Sequence, residues 1–153
     1  MKKFEFKLEA LLKLREFNEK RLKIELGEIL KQIQETKDRI ESIKGDIALS
    51  YDTQEKMMEN PASGQVLQFF PYYIEGRKEE IKARENFLYS LNKKYEFTVK
   101  ELARARGEVK VIESLKDKKK TEHKKKVEKK LQENIEEAVM VRNYAKEMGE
   151  DWT

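Results

Sequence analysis

His123 is the one histidine in the chain, and its nearest acids are Glu122 and Glu128. Neither lies three or four residues away, the spacing that would put it on the same helix face as the imidazole. The acidic pairs Glu79-Glu80 and Glu136-Glu137 could supply paired carboxylates for acid–base work, but they fall in helical sequence with no pocket-forming residues around them. With no Cys, the chain has no disulfide, no thiolate metal site and no cysteine nucleophile. A single His also excludes a multi-histidine metal site or a relay between two imidazoles. No GxxxxGK[ST] loop, GxSxG elbow or HExxH pair occurs. The sequence therefore reads as that of a non-enzyme, with no catalytic, cofactor or metal residues.

The remaining chemistry lies in surfaces, and the composition indicates which elements carry them. The 153 residues are 42% charged and 38% hydrophobic, with 34 Lys plus Arg against 30 Asp plus Glu and only 6 Gly and 2 Pro. Too little turn punctuation remains for a strand-rich fold, and the bias towards Glu, Lys, Leu and Ile is that of long helices. From Leu22 the series Leu22, Leu26, Ile29, Ile33, Thr36, Ile40, Ile43, Ile47 steps alternately by four and three, and only Thr36 is not apolar. Such a series is a heptad seam. The pattern predicts a first helix over about 4–59. The cluster Glu59-Asn60-Pro61-Ala62-Ser63-Gly64 then breaks it, with Pro71 shortly after and Phe70 biased towards an extended conformation. The turn is expected over about 60–70, with room for one short helical turn inside it.

A second helix, expected over about 71–149, carries the seam Ile74, Arg77, Ile81, Arg84, Leu88, Leu91, Tyr95, Thr98, Leu102, Ala105, Val109, Ile112. Its register fails across Lys116 to Lys130, and a shifted series resumes at Val127, Leu131, Ala138, Val141, Ala145 and Met148. Two seams joined by one breaker give an all-α fold, a long two-helix antiparallel coiled-coil hairpin forming one domain over 1–153. A parallel homodimer of one bent helix is the weaker alternative. Pairing about a midpoint near 64 and 65 sets Leu22 opposite about 107 and Phe4 opposite about 125. The last two dozen residues then form a C-terminal helical overhang of ~35 Å.

Residues 116–130 hold nine Lys and three acids, net +6, in a chain of net +4. The run reads either as a solvated helical face or as a surface that docks on an acidic protein, with nucleic acid or anionic lipid as lesser readings. Opposite it falls an apolar set at the N-terminus, Phe4, Phe6, Leu8, Leu11, Leu12, Leu14 and Phe17. The lysines would leave this set partly exposed, as a partner surface or a self-association face. Near the turn, Tyr51, Phe69, Phe70, Tyr72 and Tyr73 form either a plug or a recognition patch. Arg77 and Arg84, at seam positions, are expected to loosen this end. Charges at Glu5, Lys7, Glu9 and Lys13 interrupt any signal-peptide core after Met1-Lys2-Lys3. The run Val66 to Ile74 is far short of the ~20 residues a bilayer requires. Residence in a reducing cytoplasm, without membrane insertion, is expected.

The opening Lys3-Phe4-Glu5-Phe6-Lys7-Leu8-Glu9, followed by Leu11-Leu12-Lys13-Leu14-Arg15-Glu16, resembles the start of FliJ family proteins. The chain length, the mid-chain breaker and the stretch Glu128-Lys129-Lys130-Leu131-Gln132-Glu133-Asn134-Ile135 are also similar to that family, though Gln132 stands where many relatives have Asp. The resemblance implies a component of the bacterial flagellar type III export apparatus, an antiparallel coiled coil similar to the γ stalk of F-type ATP synthases. It implies three partners: a hexameric flagellar export ATPase, an export-gate membrane protein and export chaperones. It places the protein in the cytoplasm, peripherally at the inner face of the cell membrane at the flagellar base. On that reading Phe4, Phe6, Leu8, Leu11, Leu12 and Leu14, with Lys118, Lys119, Lys125 and Lys126, would bind the ATPase. Ile47, Tyr51, Tyr73 and Arg77 would be the loose counterparts of the gate-binding surface. An unrelated coiled-coil scaffold, a chaperone shielding an amphipathic helix and a nucleic-acid-binding rod are the competing readings.

Overall fold

The two heptad seams become two long helices. In the computed structural model, which describes residues 3–60 and 64–151, α1 spans Glu9–Met58, α2 is the short helix Gly64–Leu67, and α3 spans Phe69–Asp151. No strand occurs among the described residues, and the fold is all-α. Contacts divide the chain into two compact units, one of residues 18–105 and one of residues 1–17 with 106–153.

In the unit of residues 18–105, α1 and α3 pack antiparallel along the seams. Leu22 is buried against Leu102 and Ala105, with Leu26 alongside. Ile29 and Ile33 are buried against Leu91, flanked by Leu88 and Tyr95. Leu22 thus meets α3 short of the expected 107. Thr36, the polar member of the first seam, is buried and its hydroxyl donates to the Gln32 carbonyl at 2.7 Å. Ser50 does the same towards Asp46 at 2.8 Å, so both hydroxyls are satisfied within their own helix and cost the seam little. Thr98 is buried on the facing helix.

The turn follows from local chemistry. α1 closes in tight turns, with the Glu59 amide donating to the Lys56 carbonyl and the Asn60 amide to that of Met57. Pro61, Ala62 and Ser63 of the breaker lie outside the described residues. The short helical turn expected inside 60–70 is α2. Phe70, expected to be extended, is instead helical, because α3 begins at Phe69 and Pro71 falls in its first turn. There the missing amide leaves no intrahelical bond unmade.

In the other unit, Leu12 of α1 is buried between Val109 and Ile112 of α3, with Phe6 and Leu11 packed against the cluster. Two ion pairs flank this contact, Arg15 Nη1 to Glu108 Oε2 at 2.9 Å and Lys116 Nζ to Glu9 Oε2 at 2.8 Å. The first helix begins at Glu9 rather than at Phe4, and residues 3–8 precede it outside regular structure. Exposure alternates along Lys3, Phe4, Glu5, Phe6 and Lys7, the aromatics half-buried and the charged residues exposed. That is the two-residue period of an extended segment with one face turned inward. Beyond Val127 every described side chain of α3 is exposed through Gly149, as expected of the overhang.

Candidate functional site

The N-terminal set expected to dock a partner divides in two. Leu12 is core, 4% exposed, and Phe6 and Leu11 are half-buried beside it. The expectation that the set falls opposite the lysine run is corrected at Leu12, which meets Val109 and Ile112, before that run begins. Leu14 and Phe17 do remain exposed, at 61% and 66%, and Leu8 partly so. Phe4 is half-buried with its ring centroid 5.6 Å from that of His123. At this contact His123 is itself half-buried. Around the two rings, Lys3, Leu115, Lys119 and Lys126 line an open groove.

Lys118, Lys119, Lys125 and Lys126 are all exposed on α3. Lys119 Nζ lies 3.8 Å from Glu122 Oε2, an exposed pair of little energetic weight. Lys116 is different. It reaches Glu9 in the first turn of α1, and the Glu9 carboxylate raises its pKa against the opposing effect of burial. Glu9 also suits the positive end of the α1 dipole. The lysine run is therefore anchored at its first residue and open beyond it.

In the other unit, the residues expected near the turn are placed as follows. Ile47 is half-buried on the α1 seam, and Tyr51 is exposed, with Lys78 Nζ 5.9 Å from its ring centroid. Tyr73 stacks on Phe69 at 5.8 Å and accepts a hydrogen bond from Arg77 Nε at 3.2 Å. Phe69 also packs edge-on against Phe70, and Tyr72 is exposed at 82%. Arg77 and Arg84 were expected to loosen the seam, but both are held by Glu80. That carboxylate accepts from Arg77 at 2.8 Å and from Arg84 at 3.3 Å, and it is reached from α1 by Arg39 at 3.4 Å. The hydrogen bond from Arg77, then that from Arg84, hold the Glu80 carboxyl below its usual range, while partial burial opposes them. Arg77 is in turn raised, first by Tyr73 and then by Glu80. The signal was in the sequence: Glu80 lies three residues after Arg77 and four before Arg84, both same-face spacings. What the sequence could not supply was Arg39, brought in from the other helix.

Two long helices paired along heptad seams, with cationic, aromatic and apolar side chains left open, define an all-α helical-hairpin protein. The family model described as Flagellar FliJ protein matches residues 4–148, and the chain belongs to that family. Searches among curated proteins and among solved structures return no significant match. Membership makes the chain a component of the flagellar protein export apparatus, in a family that is not catalytic. Among the described residues no helix is long and apolar enough to cross a membrane.

Proposed function

We propose that this protein is the coiled-coil stalk of the flagellar export ATPase, a non-enzymatic coupler between the ATPase ring and the membrane export gate that also binds export chaperones. It works from the cytoplasm at the inner face of the membrane. The observation that carries the reading is the open face beside the N-terminus. There the exposed Leu8 lines a groove with Lys119 and Lys126, and Leu14 is exposed farther along α1, in a chain of this family. Apolar contacts with a cationic border suit an acidic protein surface. Of the ATPase-binding set, Leu12 acts through the fold, and Phe4, Phe6 and Leu11 are partly covered. Contact therefore falls to Leu8, Leu14, Lys118, Lys119, Lys125 and Lys126. Tyr51, Tyr73, Arg77 and Ile47, in the other unit, serve the gate.

The test is binding of the purified chain to the purified export ATPase. Reversal of Lys118, Lys119, Lys125 and Lys126 to Glu should weaken that binding and leave helix content unchanged, since none of the four is buried. Wild-type binding to nucleic acid with a steep salt dependence, together with indifference to the ATPase, would sink the stalk reading in favour of a nucleic-acid-binding rod.

A further inference from the structure

The segment ahead of α1 is held against α3 by the packing of two rings. Phe4 meets His123, and Phe6 packs on the cluster of Leu12, Val109 and Ile112. The backbone bonds nearby run into α1 rather than to α3: the Glu9 amide donates to the Phe6 carbonyl at 3.1 Å, and the Leu12 amide to that of Leu8 at 2.9 Å. Among the described residues, no side chain of 3–8 makes a hydrogen bond or ion pair to α3. The first such tie is Glu9 to Lys116 at 2.8 Å, just after a turn at residues 7 and 8. Charge works against the contact. Lys3 and Lys7 line the same groove as Lys119 and Lys126, and of the two acids there Glu122 is taken by Lys119 at 3.8 Å. Residues 116–130 are net +6, so closing the segment sets its lysines against a face of like charge. Two half-buried rings must therefore offset both that repulsion and the entropy of ordering the segment, which are opposing terms of similar size.

We infer that residues 3–8 are a strap that opens from α3 about the turn at 7 and 8, while the helices stay paired through Glu9, Lys116 and Leu12. Closed, the strap keeps Phe4 and Phe6 turned inward and faces Leu115 and His123 across the groove. Open, it releases both phenylalanines and uncovers Leu115 and His123 between Lys119 and Lys126. The surface then changes from a cationic face into an apolar docking site with a cationic border, the form that a partner's apolar residues can enter. Strap opening thus controls when Phe4 and Phe6 take part in binding the export ATPase. That control rests on the stalk reading, whereas the opening itself does not.

The test uses the full chain. Glu5 and Glu122 both line the groove and are exposed, so Glu5→Cys with Glu122→Cys marks its two walls in a chain with no other thiol. Spin labels on this pair should give two distances by pulsed electron resonance, a short one for the closed strap and a long, broad one for the open strap. Adding Phe4→Ala should raise the ratio of long to short about three- to tenfold, because it removes one half-buried ring. Added salt should move the ratio towards the short distance by screening the lysines from one another. A single short distance that Phe4→Ala leaves unchanged, a long distance alone, or a ratio that salt moves towards the long distance would each overturn the opening strap. A short bismaleimide bridging the same two thiols then holds the strap shut. The bridged chain should bind the purified export ATPase about tenfold more weakly than the same chain unbridged. Equal binding by the two forms would overturn control by the strap. Binding by neither would sink the stalk reading instead, with the opening decided by the distances alone.

Discussion

Leu12 and Leu14 are two residues apart on α1, and the packing gives them opposite fates. Leu12 sits at 4% exposure between Val109 and Ile112, so Leu12→Ala should cost about 2–3 kcal/mol in a urea titration. Leu14, at 61%, touches no cluster, and Leu14→Ala should change stability by less than about 0.5 kcal/mol. Glu80 gives a pH-dependent counterpart. Its carboxyl is held low by Arg77 and Arg84, so its contribution is complete above the unfolded Glu value of about 4.3. It is lost as pH falls through the lower folded value. Between about pH 5 and pH 3 the wild type should lose more stability than Glu80→Gln, and equal losses would mean that the carboxylate is only a bystander to its three arginines. Lys116 runs the other way. Raised by Glu9, it stabilises below the ordinary Lys value of about 10.4 and ceases to do so as pH rises through its folded value. Lys116→Met should therefore flatten the alkaline limb of the stability profile.

At the level of elements, the sequence was most legible where a pattern repeats over many turns. Every one of the twenty seam residues read from the heptads, from Leu22 to Ile47 and from Ile74 to Ile112, is buried or half-buried. Periodicity fails at ends, where a few residues cannot define a period, and both helix starts moved for that reason. The alternation from Lys3 to Lys7 carried the correct answer for the N-terminus but is too short to outweigh the helix beginning beside it. Pairing register was less legible because it depends on where the turn closes, and α1 ends at Met58 while α3 starts at Phe69. The same helices contain a test of their stiffness. Gly45 lies within α1, and a Cβ added there would meet nothing within 4 Å. Gly45→Ala should raise stability by about 1 kcal/mol, read as a shift in the urea midpoint, through helix propensity alone. If the stabilised variant loses export activity, bending at Gly45 belongs to the working cycle. If export is untouched, the glycine is an idle surface position.

For the whole molecule, coupling makes a stronger demand than binding: two contacts that can be disabled separately. The sequence placed the two residue sets far apart in the chain, and they fall in different compact units. What it could not reveal was which members are structural, because Leu12 and Leu14 are the same residue type and only the facing helix distinguishes them. The decisive variants therefore avoid buried positions. Leu8→Ser with Leu14→Ser should weaken association with the ATPase and spare the gate. Tyr51→Ala with Tyr73→Ala should weaken the gate contact and spare the ATPase, by about 2 kcal/mol if the rings act as interface anchors, which is roughly thirtyfold in affinity. Tyr73 also stacks on Phe69 and accepts from Arg77, so Tyr73→Phe separates recognition from packing by keeping the ring and losing the hydroxyl. Each double variant should abolish motility with its helical circular dichroism intact. Loss of the same single partner by both pairs would reduce the protein to a one-sided scaffold. Unfolding by the tyrosine pair would make those rings a plug for the turn.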